Sequence, residues 1–247
     1  MNNPEQEKAF LSIVAPVFNE AEGIEKVVRY WAGVIARDKI SAEIVLTNDG
    51  STDGTLAILS GLKQEFPFLK VVSYAPNKGY GKALSCAINA SSGEYVLTID
   101  SDGQFDAAEY KILLDKLEKD GLDLVTGFRR GKKDSIFKVF CDRSLNFIIR
   151  TMFSLKLKDT NCALKLAKGT YLRSMIIESS GYPTPTEIVI KASVKGAKVG
   201  EAGITHLERK SGISKLKPIR TALNMLAFLV YLRYKVFLYR RKIITEV

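Results

Sequence analysis

Residues 43–55 read EIVLTNDGSTDGT, and the way this stretch folds decides the architecture. Ile44, Val45 and Leu46 form a short apolar run of the kind that makes a buried strand. Asn48, Asp49, Gly50 and Ser51 then stop it, since each favours a turn. Thr52 or Asp53 follows as a plausible N-cap, so a helix starts at once.

The same strand–turn–helix order repeats on either side. Phe10–Val17 is nearly all apolar and ends at Pro16–Asn19; Ile24, Val27, Val28, Trp31 and Ile35 then recur at helical spacing. Leu69–Tyr74 predicts a third strand, and NKGYGKALSCAINA (77–90) a glycine-rich turn opening a helix. Tyr95–Ile99 predicts a fourth strand, Glu109–Leu117 a helix and Leu122–Thr126 a fifth strand. Strands alternating with helices across short turns imply an α/β fold, a mostly parallel sheet covered on both faces. Ligands of such sheets sit outside the carboxyl ends of the strands. The polar clusters Asn19–Glu20, Asn48–Asp49, Asn77–Lys82 and Asp100–Gln104 all fall at those ends.

Beyond residue 130 the pattern changes. SIFKVFCDRSLNFIIRTMFSL (135–155) is long and apolar, with Arg143, Asn146 and Arg150 on one helical face. DTNCALKLA (159–167) reads as a returning strand, Thr186–Lys195 as a helix, and the alternation around Ile204 makes His206 a strand residue. No linker shows before Ser211, which divides the chain into a globular domain over 1–217 and a C-terminal segment over 218–247. Within that segment Thr221–Leu232 is the longest uncharged run, short of the about 20 residues a spanning helix needs. Arg220, Asn224, Tyr231, Lys235 and Lys242 form one narrow polar stripe, and the remaining surface is broadly apolar. That pattern suits a helix lying in a membrane interface; packing on a partner subunit is the competing reading.

A composition that is 46% hydrophobic and 26% charged is that of a folded protein. The net charge of +10 fits anionic partners: nucleotides, nucleic acid or an anionic membrane. Three scattered cysteines without CxxC spacing suit a reducing compartment, and MNNPEQEKAF lacks the apolar stretch of a signal peptide. A single histidine leaves little from which to build a His-based triad or a His-rich zinc site.

LTIDSDGQFD (97–106) carries the chemistry. Asp100 and Asp102 point to one side if the strand alternation continues, and two such carboxylates repel unless a cation offsets them. Mg²⁺ takes oxygen ligands while keeping positions for water and phosphate, and Gln104 can add a neutral oxygen. A calcium loop of the EF-hand type fails, because its sixth and twelfth positions here are Phe105 and Lys111. A glycosidase pair would place its acids on separate elements, whereas Asp106 suits a helix cap.

Taken together, VAPVFNEAEGI, VLTNDGSTDGT, NKGYGKAL and LTIDSDGQFD resemble family 2 glycosyltransferases of the GT-A fold. VTGFRR, DTNCALKL, TEIVIKASVKGAKVGE and ERKSGISKL are similar to the subset containing dolichyl-phosphate mannose synthases and other polyprenyl-phosphate glycosyltransferases, over roughly residues 10–217. The resemblance implies transfer of a sugar from a GDP- or UDP-linked donor to a polyprenyl or dolichyl phosphate, with inversion. It implies that Asp100, Asp102 and Gln104 hold Mg²⁺ or Mn²⁺ and the donor diphosphate. Pro16, Phe18, Glu20 and Asp49 would line the base and ribose pocket. Arg129, Arg143, Arg209 and Lys215 would face the acceptor phosphate or the diphosphate. The catalytic set so implied is Asp102, Arg129 and Arg143. The enzyme is expected to be peripheral on the cytoplasmic face of a membrane, with 136–155 and 219–239 dipping toward lipid and a membrane partner subunit as a possible addition. Nucleic acid is not among the implied partners. The alternative is a glycan or polysaccharide acceptor, whose hydroxyl requires a carboxylate base, with Glu187 the candidate.

Overall fold

The computed structural model describes residues 9–130, 136–207 and 218–247; the side chains of 136–143 and 218–220 are outside the described set. The elements run β1 (Leu11–Val17), α1 (Ile24–Asp38), β2 (Ala42–Asp49), α2 (Thr55–Glu65), β3 (Leu69–Tyr74), α3 (Tyr80–Ala90) and β4 (Tyr95–Thr98). A 3₁₀ turn at Ala107–Glu109 leads into α4 (Tyr110–Lys119), then β5 (Leu124–Arg129) and α5 (Ile136–Phe153). The chain closes with β6 (Lys165–Lys168), α6 (Gly169–Arg173), α7 (Thr184–Val194), β7 (Val199–Ile204) and α8 (Pro218–Arg240).

Seven strands form one sheet in the order β3-β2-β1-β4-β6-β5-β7. All neighbours are parallel except β6, which runs antiparallel to both β4 and β5. That is the returning strand expected over 159–167. Because side chains alternate across a strand, β1 feeds two cores. Leu11, Ile13, Ala15 and Val17 pack with Trp31, Ile35, Leu59 and Leu113 on one face. Val14 faces the other, with Val45, Val96, Leu84, Ile88 and Ile188. Helices on both faces keep the central strands β1, β2 and β4 dry, which accounts for their nearly continuous apolar sequence.

Two expectations change. His206 lies beyond the end of β7, and its ring packs edge-on against Phe105. β7 itself has a weak strand signal because Gly200, Glu201 and Gly203 occupy half of it. The polar stripe on α8 also turns out to be partly inward. Met225, Leu229, Leu232 and Val236 are buried in the second core. Beside them Tyr231 Oη and Lys235 Nζ donate to Glu178, at 3.0 and 2.9 Å. Outward lie Leu223, Leu226, Val230, Tyr234 and Phe237, all exposed and at helical spacing. By length and composition Thr221–Arg240 is apolar enough to cross a membrane, with mean hydropathy 1.3.

Glu178, at the surface, belongs to a charge network that runs inward to two fully buried side chains. Lys191 is fully buried, and its Nζ sits 2.8 Å from Glu187 Oε1, 2.7 Å from Glu178 Oε2 and 2.7 Å from the Ile176 carbonyl. Glu187 is fully buried too, and accepts from the backbone N–H groups of Glu178 (2.8 Å) and Ser179 (2.9 Å). Removing one partner of such a pair strands the other charge away from water. Lys191→Met is therefore expected to cost about 3–5 kcal/mol, measured by urea denaturation; a loss below about 1 kcal/mol would contradict the network's role.

Candidate active site

The carboxyl ends of β1, β2 and β4 present three loops on one edge, and hydrogen bonds lock them together. Asn19, with φ of 53°, ties the β1 loop to the β2 loop. Its N–H donates to Ser51 Oγ at 2.9 Å and its Oδ1 accepts from Thr52 N at 2.8 Å. Glu20 N donates to Thr55 Oγ1 (2.9 Å) and Ala21 N to Asp53 Oδ2 (3.2 Å). Asp53 also accepts from Thr55 N at 3.0 Å, so it caps α2 from one residue outside the formal N-cap, Gly54.

Asp49 clamps the glycine-rich turn. It is buried, and its carboxylate accepts from Lys78 N (2.7 Å), Gly79 N (2.9 Å) and Asn77 Nδ2 (2.8 Å). A buried carboxylate is tolerable only when donors replace its water. Two glycines make the fit possible. Gly50 has φ of 67°, and a Cβ there would lie 2.6 Å from Asn77 N. Gly79 has φ of 92°, and its Cβ would collide with the Ser180 carbonyl.

The acidic loop is held from three sides. Tyr80 Oη, at the first residue of α3, donates to Asp100 Oδ1 at 2.8 Å. Burial, and then the Asp100 charge, push the Tyr80 phenol well above its ordinary range, so it stays a donor. Ser101 Oγ donates to the Pro16 carbonyl at 2.8 Å, binding this loop to β1. Asp102 Oδ1 accepts from Gln104 N at 3.1 Å. Gln104 Nε2 donates to the Leu207 carbonyl at 3.3 Å, and Leu207 N returns a bond to Gln104 O at 2.9 Å. Gln104 thus spends its amide nitrogen on the segment after β7. Asp106 caps the 3₁₀ turn, accepting from Ala108 N at 2.8 Å, as its position led us to expect.

The donor chemistry at this edge fits Mg²⁺ or Mn²⁺. Asp100 and Asp102 supply hard oxygens, and no cluster of three or more His, Cys, Asp or Glu occurs among the described residues. Two carboxylates make a partial shell of the kind completed by phosphate and water.

Pro16, Phe18, Glu20, Asp49, Asp100, Asp102 and Gln104 are therefore gathered on the carboxyl edge of β1, β2 and β4. Arg129 ends β5 on that edge. Its Nε and Nη2 fork onto Asp159 at 2.7 and 3.2 Å, a nearly buried ion pair. Arg143, Arg209 and Lys215 lie outside the described residues and side chains.

Lys165 escaped the sequence reading. It is fully buried, and its Nζ donates to Thr126 Oγ1 at 2.8 Å, to the Thr160 carbonyl at 3.3 Å and to the Cys162 carbonyl. Burial lowers its pKa to about 8. Its sequence signal is a lysine at an inward position of the apolar stretch ALKLA. Burial pushes the neighbouring Cys162 thiol up to about 12, which makes it inert. Glu187, the candidate base for a hydroxyl acceptor, is sealed inside the network described above and reaches no open surface.

A mostly parallel sheet with helices on both faces, an acidic pair on its carboxyl edge and a clamped glycine-rich turn beside it is an arrangement of the GT-A type. The chain belongs to glycosyl transferase family 2, whose model matches residues 12–175; it is a glycosyltransferase. It is 28% identical over 230 residues to a dodecaprenyl-phosphate galacturonate synthase of Rhizobium johnstonii, covering 91% of this chain and 68% of that one. It is 28% identical over 208 residues to an undecaprenyl-phosphate 4-deoxy-4-formamido-L-arabinose transferase of Edwardsiella ictaluri, covering 83% of this chain and 62% of the relative. The chain thus spans about two thirds of these relatives' length or somewhat less. Among solved structures, glucosyl-3-phosphoglycerate synthase of Mycobacterium tuberculosis, crystallised with Mn²⁺ and UDP-glucose, superposes with a TM-score of 0.68. Its identity is 19%, over 91% of this chain and 79% of that one, a likeness of fold.

Asp102→Asn keeps the size and the bond from Gln104 N but halves the anionic charge of the pair. Turnover is expected to fall by orders of magnitude, about 10²-fold or more, with an unchanged circular dichroism spectrum. Near-normal activity would remove the metal argument.

Proposed function

We propose that the protein transfers a sugar from a GDP- or UDP-linked donor to a polyprenyl phosphate, with inversion at the anomeric carbon. The observation that carries this reading is the Asp100–Asp102 pair, held by Tyr80, Ser101 and Gln104 at the carboxyl edge of the sheet. The relatives named above, both acting in polyprenyl-phosphate chemistry by name, supply the acceptor class.

In the reaction, an oxygen of the lipid phosphate attacks the anomeric carbon from the face opposite the diphosphate. A carbon–oxygen bond forms as the bond to the donor diphosphate breaks, and the nucleoside diphosphate leaves with the electron pair. A phosphate monoester is largely ionised at neutral pH, so the nucleophile needs no strong base. This agrees with a site in which Glu187 is sealed away and the chain's single histidine packs on Phe105. Asp100 and Asp102, with Gln104 Oε1 as a third oxygen, would hold Mg²⁺ or Mn²⁺. When bound, that ion offsets the charge growing on the leaving diphosphate.

The remaining roles belong to the chain. Pro16, Phe18, Glu20 and Asp49 shape the base and ribose pocket, Asp49 by fixing the turn at 77–79. Arg129, oriented by Asp159, and the basic residues Arg143, Arg209 and Lys215 offset the charge of the acceptor or donor phosphates. Holding two anions in line supplies much of the rate. A carbohydrate acceptor would require a base that Glu187 is not placed to provide.

The acceptor lies in a membrane, and the C-terminal helix is built to reach it. Leu223 to Phe237 carry an exposed apolar stripe, and α5, which touches α8, exposes Phe147 and Ile148 as well. We place the enzyme as a peripheral protein on the cytoplasmic face, residues 1–217 forming the catalytic domain and 218–247 the membrane-seating segment.

Incubating the protein with Mg²⁺, a panel of nucleotide sugars and a polyprenyl phosphate is expected to yield lipid-linked sugar from one donor. Transfer only to glycans, or binding without turnover, would overturn the reading. In flotation, the protein is expected to rise with anionic vesicles, and the Val230→Asp/Tyr234→Asp variant, altered only at exposed positions, to stay below. Wild-type protein left in the soluble fraction would contradict membrane seating.

A further inference from the structure

The segment 176–181, between α6 and α7, touches both the C-terminal helix and the turn that opens α3. From the α8 side, Glu178 receives Tyr231 Oη at 3.0 Å and Lys235 Nζ at 2.9 and 3.0 Å. From below it receives the fully buried Lys191 at 2.7 Å. On the other side, the carbonyls of Ser179 and Ser180 press on Gly81 and Gly79, where any Cβ would collide with them. Ser179 Oγ and Thr184 Oγ1, 2.8 Å apart, brace the same segment. Between those two glycines stands Tyr80, whose hydroxyl holds Asp100 at 2.8 Å.

The links form a continuous strap: α8, Glu178, the Ser179–Ser180 backbone, the start of α3, Tyr80 and Asp100. Its parts have little freedom to move separately. Glu178 is bound by three side chains from two sides, and burial, which by itself would raise its carboxyl, is outweighed by the bonds from Lys191 and Lys235, so it stays ionised. The glycine contacts transmit backbone to backbone, without a flexible side chain between. A small shift of the strap therefore moves the first turn of α3, and with it the phenol that orients one of the two acids.

We infer that Glu178 is a positioning residue for the metal end of the donor site, through which the seating of α8 on the domain sets how firmly Asp100 is held. This rests on the donor-site reading above and extends it, since Tyr231 and Lys235 sit on the helix that carries the lipid-facing stripe. Coupling between sites is reciprocal, so a well-seated α8 favours the donor complex and a bound donor favours a seated α8.

The test measures Mn²⁺-dependent binding of UDP and of GDP to the full chain by titration calorimetry. The Tyr231→Phe/Lys235→Met variant loses the α8 side of the hub and is expected to raise Kd at least about fivefold. Lys235→Arg, which keeps a cation on Glu178, is expected to restore binding to within about twofold of wild type. Tyr231→Phe alone, a loss of one hydroxyl from an exposed ring, shifts Kd the same way and keeps the test available should the double variant not fold. Leu113→Ala, a core truncation in α4 away from the strap, lowers stability but is expected to leave Kd unchanged. Wild-type affinity in both hub variants, or equal weakening in Leu113→Ala, would overturn the inference. Absence of metal-dependent binding of either nucleotide by the wild type would overturn the donor-site reading itself, and this inference with it.

Discussion

The buried Asp49 carboxylate is the interaction on which the functional edge depends. At the end of β2 it has exchanged water for two backbone N–H groups and one side-chain amide from residues 77–79. Losing a donor there would leave a charge short of its compensation, at a cost of about 1–3 kcal/mol or more. The turn at 77–79 is therefore not free to rearrange, and it fixes where α3 begins. Because Tyr80 opens α3, the placement of Asp100 follows from it. One buried acid in β2 thus sets the position of another, in β4's loop.

The two acids play opposite electrostatic parts. Asp49 is neutralised by amide dipoles inside the protein, and its geometry is finished before any ligand arrives. Asp100 and Asp102 stand two residues apart in the loop after β4, Asp100 accepting from Tyr80 Oη and Asp102 from Gln104 N, and offer hard oxygens of the kind a divalent cation takes. The sheet makes this possible: its two apolar cores absorb β1, β2 and β4 on both faces. The polar groups at the carboxyl ends of these strands are the ones whose loops bind one another.

Much of this was legible in the sequence, and the parts that were not share a cause. β1, β2, β4 and β5 stand out because parallel strands buried on both faces are continuous apolar runs broken by turn residues, while β3, at the sheet edge, is marked by Val71 and Val72. The acidic loop and its neighbouring polar clusters could be placed on one edge for the same reason. β7 was hidden by its glycines and Glu201, which carry little strand signal. Tyr80, Lys165 and Asp159 were missed because their roles lie in partners distant along the chain: Asp100, Thr126 and Arg129. The stripe on α8 was found, but its direction was not, since only Glu178 shows that Tyr231 and Lys235 turn toward the domain. Periodicity tells which residues share a face, whereas what that face meets is a property of the fold.

The central claim is that the carboxyl edge of β1, β2 and β4 is a donor site organised around Asp100 and Asp102. A crystal structure of the protein with Mn²⁺ and a nucleoside diphosphate tests it most directly. One cation shared between that carboxylate pair and the diphosphate is expected, with the nucleoside lying over the Pro16–Glu20 and Asp49–Asn77 loops. A nucleotide bound at another edge of the sheet, or a cation that leaves both carboxylates untouched, would contradict it.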